Sequence, residues 1–413
     1  MKISEIKKYD KIAILGYWKE GKSTLRFLKK LWVKDITILD KKEILEKEDW
    51  IFYQTWENYL KNISDFDLVI KTPWISPYLN NLLKYKDKII SSVDIFLNNY
   101  SWKVIGITWT KWKSTTSTVL YLTLQNAWYK VKLVWNIWDP VLDEIDILAW
   151  ESYDYVVFEL SSYMLEGLIW QLYIWYINNV YICHYDWHFW AENYNNAKKN
   201  ILEIAKHKVA NVQIKEKFSD LSNVRFFWIW TDIFYKDEKF FLNWEVVLED
   251  RNFLLKWEHN RINICWIIAI ISQIVADKHN STWILHKLIS WLKETLESFN
   301  WLPHRIQDIW TYKWITFVDD AIATTPDSTK AAINTFWDKL WTIFLWGQDS
   351  WFDFSELVNI ISNSNIKNLV LFPDTWLKIF WDLSTFDFDK KYEFKFRDKF
   401  FNIFSVSFKI WFA

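Results

Sequence analysis

At 413 residues the chain is long enough for two or three domains, and its net charge of −1 leaves no basic face for nucleic acid. Its two cysteines, Cys183 and Cys265, are far apart, which excludes a disulfide framework or a cysteine-based metal site and fits a reducing interior. There is no N-terminal hydrophobic signal stretch, and the longest apolar run, residues 262–276, contains Asn263, Ser272 and Gln273 and is too short to span a bilayer. These features point to a cytoplasmic protein without membrane insertion.

One feature of the composition is abnormal. A typical globular chain of this length would hold about 29 glycines, whereas this one has 5 Gly and 33 Trp. The tryptophans fall where glycine belongs. Trp18 sits in a turn after a strand, Trp128 at a helix end, Trp135 and Trp138 on either side of Asn136, and Trp346 before Gly347. Such positions call for φ > 0 or a missing Cβ, which an indole cannot supply. Some bacterial lineages read the UGA codon as glycine where common translation tables give tryptophan, so the chain is read both as Trp and as Gly at these positions.

Residues 1–98 alternate strand and helix. KIAILGYWKEGKSTLRFLKKL is a strand, a tight turn and a helix; DITILD is a second strand ending in Asp40, and DLVIKTPWISP contains a later one. This alternation predicts a parallel sheet with crossover helices. The first turn has the look of a dinucleotide-binding loop and Asp40 lies at ribose-reading distance, although a plain βα turn explains the same residues.

Residues 99–298 open on VIGITWTKWKSTTSTVLYL, a buried strand, a short loop and a helix begun by Ser114, Thr115 and Thr116. In that layout backbone N–H groups and the helix N-terminus face an anion. Lys113 is placed for the β/γ-phosphates and the Ser114 hydroxyl for Mg2+, but Trp109 and Trp112 stand where backbone must approach phosphate closely. Next, YDYVVFELSSYMLEGL is a strand leading to Glu159, Ser161 and Ser162, and NNVYICHYDWHFW leads to His184, Asp186 and His188, followed by a helix with Lys198. A carboxylate and a histidine at neighbouring strand ends can share a divalent cation at the C-terminal edge of a parallel sheet. A surface loop position is the alternative for His184, weakened by the phosphate loop and Glu159 beside it. The stretch LLKWEHNRINICWIIAI brings Asn260 and Asn263 into a core helix. Residues 299–413 form a third α/β unit, in which Asp319, Asp320, Thr324 and Thr325 precede a helix expected to be capped near Asp327 or Ser328.

Read with glycine at the tryptophan positions, the runs GITGTKGKST, GNIG, FELSSY, HYDGHFGAENYNNAK, GEHNRIN, LPHR and LGGQDSGFDF resemble, in order and across nearly the whole chain, the Mur ligases of peptidoglycan synthesis, most closely the glutamate-adding branch. The resemblance implies three α/β domains: a Rossmann-like UDP-binding sheet over residues 1–98, a P-loop ATPase-like parallel sheet over 99–298 and a Rossmann-like domain over 299–413. It implies ATP-dependent ligation of glutamate to UDP-N-acetylmuramoyl-L-alanine through an acyl phosphate, by a cytoplasmic monomer. By the same resemblance, Ser114, Glu159, His184 and a carbamylated Lys198 form the metal shell, with Lys113 on the transferring phosphoryl group. Trp109, Thr110, Lys111, Trp112, Lys113, Ser114 and Thr115, with Asn260, Asn263, Arg305 and Asp320, would hold ATP. Tyr17, Trp18, Asp40, Thr72, Asn136, Ser161 and Thr324 would hold the substrates.

Two features depart from the family pattern. D-glutamate-adding members usually carry DSK-A-T where this chain has Asp320-Ala321-Ile322-Ala323-Thr324, and a lysine near Ser350. Their absence keeps an L-glutamate-adding relative, or another amide ligase of the Mur and folylpolyglutamate type, open as alternatives. A closing carboxy-terminal segment is also expected beyond Ala413. Taken literally, 33 tryptophans would instead suit a carbohydrate-binding or membrane-interface protein, but those place Trp on strand faces or amphipathic stripes, not in turns. A non-catalytic nucleotide-binding module is a third reading.

Overall fold

Five short strands, β1 (Lys11–Leu15), β2 (Asp35–Asp40), β3 (Ile51–Thr55), β4 (Leu68–Lys71) and β5 (Ile89–Ser91), form a parallel sheet in the order β3-β2-β1-β4-β5. The central strands read as near-continuous apolar runs because helices cover both faces of such a sheet; Ile12 to Leu15 and Leu68 to Ile70 are almost wholly buried. The computed structural model describes residues 1–99, 103–108, 113–134, 140–145, 153–168, 172–177, 185–218, 222–228, 231–253, 255, 258–278, 281–299, 302–321, 323, 325–347, 353–374 and 379.

A second parallel sheet follows, made of β6 (Lys103–Thr108), β7 (Val131–Val134), β8 (Tyr155–Glu159), β9 (Leu172–Ile177), β10 (Ala205–Asn211) and β11 (Val224–Phe227), in the order β11-β10-β9-β6-β8-β7. Every strand pair in it is parallel. The helices Lys113–Asn126, Ala191–Ile204 and Glu258–Lys278 pack on this sheet. The last is the apolar run singled out above. It is the one described helix long and apolar enough to cross a membrane, and its residues Ile264 to Ile271 are buried in the protein core.

An antiparallel meander, β12 (Ile233–Lys236), β13 (Lys239–Leu242) and β14 (Glu245–Glu249), was not expected from the alternation. The chain divides into two compact units, Met1–Asn300 and Trp301–Ala413, the first holding both parallel sheets. In the second, β15 (Gln307–Tyr312) and β16 (Ile315–Asp319) make an antiparallel hairpin, and β17 (Thr342–Gly347) pairs in parallel with β18 (Asn368–Asp374). Leu357, Val358, Ile361, Leu369 and Leu371 form the core beneath that pair. The helix Pro326–Phe336 is capped by Thr325, not by Asp327 or Ser328. Pro326 sets the start, because its fixed φ and missing N–H suit the first helical position.

The backbone at several tryptophans is that of glycine. Six of the fourteen described non-glycine residues with positive φ are Trp: 32, 50, 56, 128, 228 and 244. With 33 Trp in 413 residues, chance would put about one there. After the helix Lys19–Lys30, Trp32 N–H bonds the Lys29 carbonyl and Val33 N–H the Leu28 carbonyl. After Lys113–Asn126, Trp128 N–H bonds Gln125 and Tyr129 N–H bonds Leu124 in the same pattern. Both are Schellman motifs with Trp at the left-handed position that glycine normally takes. Between β13 and β14, Asn243 and Trp244 have φ of 52° and 70°, the type I′ geometry for which Asn-Gly is the preferred pair. Trp32, Trp50 and Trp128 are each at least 85% exposed, so packing of the ring does not offset the backbone cost.

Candidate functional site

The first strand edge is built by a tight βα turn. Gly16 has φ +92°, and a Cβ there would collide with the Thr72 hydroxyl; one on Gly21 would collide with the Gly16 carbonyl. Glycine therefore lets the helix Lys19–Lys30 start directly behind the end of β1. At the switch point between β1 and β4, Thr72 N–H donates to the Leu15 carbonyl (2.9 Å) and Gly16 N–H to the Leu39 carbonyl (2.8 Å). Asp40, at the end of β2, accepts from Tyr17 N–H (2.6 Å) through one oxygen and from Lys42 N–H (2.8 Å) through the other. The structure thus gathers Tyr17, Asp40 and Thr72 at one C-terminal edge, with Trp18 exposed beside them. Burial, with the nearby Tyr53 and Glu48, pushes the Tyr17 phenol up to about 12. Sequence reasoning passed over Glu20, which is buried in the first helical turn, where burial and the Asp143 charge raise its carboxyl to about 7.

The second edge lies where β8, β6 and β9 run side by side. Ile107 pairs with Glu159 and Thr108 with Ile177, so the strand ends are level. The edge is tied by Thr108 Oγ1 donating to the Leu160 carbonyl (2.8 Å) and Leu160 N–H donating to the Ile107 carbonyl (2.9 Å). Glu159 is 1% exposed, and among the described residues nothing donates to its Oε2. Ser161 Oγ, two residues on, is buried and likewise without a donor or acceptor among the described residues. Ser114 and Thr115 are buried at the start of the helix that follows β6, and Lys113 is its first residue. Lys198 is buried on the helix Ala191–Ile204, its ammonium 5.0 Å from the centre of the Tyr194 ring. Asn260 and Asn263 are buried one turn apart on Glu258–Lys278, with Asn263 Oδ1 lacking a donor among the described residues.

In the second unit, Asp320 accepts from Ile306 N–H (3.2 Å), which brings it beside Arg305. Trp109, Thr110, Lys111, Trp112, Asn136, His184 and Thr324 lie outside the described residues.

A buried carboxylate oxygen without a donor is costly unless a cation or donor completes it. The Glu159 carboxylate is chemically suited to take a divalent cation. No cluster of three His, Cys, Asp or Glu able to hold a metal occurs among the described residues.

Two parallel sheets with polar strand edges, one of them followed by a helix begun by Lys113 and Ser114, define a nucleotide-binding type of α/β architecture. No family model matches the chain. It is 27% identical over 412 residues to UDP-N-acetylmuramoylalanine--D-glutamate ligase of Clostridium tetani, covering 91% of this chain and 84% of that protein. The enzyme of the same name from Clostridium botulinum is also 27% identical, over 402 residues, with 92% and 84% covered. Among solved structures, MurF of Acinetobacter baumannii superposes with a TM-score of 0.60 at 15% identity, over 97% of this chain and 84% of that one. UDP-N-acetylmuramate-alanine ligase of Thermotoga maritima gives 0.54 at 17%, over 94% and 90%. Over nearly its whole length the chain is similar to Mur ligases in sequence and in fold.

Proposed function

We propose that the chain joins D-glutamate to UDP-N-acetylmuramoyl-L-alanine at the expense of ATP, in the cytoplasm, as a step of peptidoglycan precursor synthesis. The observation that carries this reading is the central strand edge, where the buried, incompletely partnered Glu159 lies level with the strand that opens the phosphate-loop helix bearing Lys113 and Ser114. ATP and Mg2+ fit that edge. Ser114, Glu159, His184 and a carbamylated Lys198 would hold the ion, which when bound neutralises charge on the phosphates. Lys113 balances charge on the γ-phosphoryl group as the substrate carboxylate takes it, and the glutamate amine then displaces phosphate from the acyl phosphate. Asn136 and Ser161 orient the muramoyl part, and Tyr17, Trp18, Asp40 and Thr72 hold the uridine part. Asn260 and Asn263 hold the adenosine side of ATP.

This activity needs glycine in the phosphate loop, so we read Trp109 and Trp112 as glycine codons translated as tryptophan. The left-handed Trp32, Trp128 and Trp244, each in a glycine-type cap or turn, support that reading. UGA at codons 109 and 112, and glycine there in the mass spectrum of protein from the source organism, are the expected findings; UGG would reject it. The function is tested by phosphate release from the glycine form. Release should require ATP, UDP-N-acetylmuramoyl-L-alanine and D-glutamate together, with L-glutamate run in parallel. Release with L-glutamate alone would reassign the amino acid, and release with neither would refute the ligase reading.

A further inference from the structure

A cluster of largely buried polar groups connects the first strand edge to the segments that leave the second. Lys71 ends β4 and is 6% exposed. Its ammonium donates to the Ile75 carbonyl (2.8 Å) and the Thr72 carbonyl (3.2 Å), closing the turn that presents Thr72. Burial lowers this lysine to about 8, with the charges of Glu166 and Asp94 opposing. Glu166 comes from the far side, directly after the short helix Ser162–Leu165 that Ser161 precedes. Its Oε1 accepts from the Tyr78 hydroxyl (3.0 Å), and His188 Nδ1 lies 3.8 Å from Oε2. Burial raises the Glu166 carboxyl, with Tyr78 and Lys71 pulling it back. A second tie runs from Ser76 Oγ, which donates to the backbone carbonyl of residue 187 (2.5 Å). Because that bond uses a carbonyl, it does not depend on the side chain at 187.

Residues 71–78 are therefore joined by side-chain bonds to residues 88 and 111 positions away in sequence. The turn beginning at Thr72 is a uridine-side element of the reading above, and the segment before Glu166 carries Ser161. We propose that Lys71, Ser76, Tyr78 and Glu166 form a latch that fixes the spacing between the two halves of the sugar-nucleotide cleft, which makes them positioning residues for that substrate. Each cross-link is a hydrogen bond with little solvent to replace it, so the spacing loosens when one member is removed. This inference rests on the sugar-nucleotide reading of the site.

The test uses Tyr78→Phe and Ser76→Ala, each losing one tie without changing charge, and Lys71→Met with and without Glu166→Gln. In the glycine form, Tyr78→Phe should raise KM for UDP-N-acetylmuramoyl-L-alanine roughly three- to tenfold and leave KM for ATP unchanged. Lys71→Met should raise it further, and adding Glu166→Gln should restore part of the loss, because the second change removes the carboxylate charge that Lys71 offsets. Hydrogen exchange of residues 72–79 should quicken in the Tyr78→Phe, Ser76→Ala double variant whether or not the enzyme turns over. Unchanged exchange overturns the latch. So does a parallel rise of both KM values in an active protein, while parent protein without ligase activity refutes the function and leaves the exchange result to decide the latch.

Discussion

The two strand edges of the first unit share a parallel architecture and treat polar groups in opposite ways. At the first edge, both oxygens of Asp40 accept backbone N–H groups, and the Thr72 and Gly16 amides are used within the sheet. At the second, Glu159 Oε2, Ser161 Oγ and Asn263 Oδ1 are buried with no partner among the described residues. Low dielectric makes incomplete pairing expensive, so an edge of the second kind is one that its ligands complete. The first edge is closed by the chain's own bonds; the second leaves buried oxygens that, on the function proposed above, a cation and phosphate would complete.

If this contrast is right, the largest effect comes from removing the carboxylate at the second edge. Glu159→Gln should lower kcat by roughly 10³-fold at saturating Mg2+ with unchanged folding by circular dichroism, since on the proposed function it removes the carboxylate that would hold the cation facing the phosphates. Activity within tenfold of the parent would break the comparison. Replacing Trp109 and Trp112 by Gly should tighten ATP binding measured by calorimetry, with roughly 1.5–3 kcal/mol regained for each charged backbone contact. Equal affinity of both forms would show that the loop tolerates tryptophan.

The first edge predicts effects on stability that spare ATP. Glu20 carries a folded-state pKa of about 7, above its ordinary 4.5. The folded protein then binds the proton more tightly than the unfolded chain, so stability is full below about pH 4.5 and falls as pH rises toward 7. Glu20→Gln should remove that dependence and stabilise by up to about 3 kcal/mol at pH 8, with little change at pH 4, as read by denaturant unfolding. A flat difference between the two pH values would reject it. Smallest are the caps: Trp32→Gly and Trp128→Gly should each stabilise by about 1 kcal/mol, the cost of a left-handed backbone for a residue with a Cβ, and raise Tm accordingly.

Much of this was legible along the chain. Strands β1, β2, β4, β6 and β8 and the helix Lys113–Asn126 follow from apolar runs broken by polar turns, whereas β9 (Leu172–Ile177) was not read and the strand expected over 178–184 lies outside the described residues. Glu159 at a strand end was expected, and the structure buries it there. The meander β12–β14 was not read, because its Asn243-Trp244 turn lacks the glycine that marks a hairpin. Pro326 was the available signal for the cap at Thr325. Lys71 passed as the polar end of a strand, since nothing local announces that the ammonium is buried and turned back onto the Thr72 and Ile75 carbonyls.

What the amino-acid order determined by itself is local: the alternation that makes parallel sheets, the phosphate-loop helix, and the motif series shared with the Mur ligases. Those depend on neighbours within a few residues, where backbone preference and side-chain periodicity act directly. Only the tertiary structure decided which polar groups are satisfied and which are left for a ligand. Glu159 and Asp40 are both carboxylates at strand ends, and no local rule separates them. Their difference comes from desolvation and from hydrogen-bond donors brought in by distant segments, and those exist only once the chain has folded.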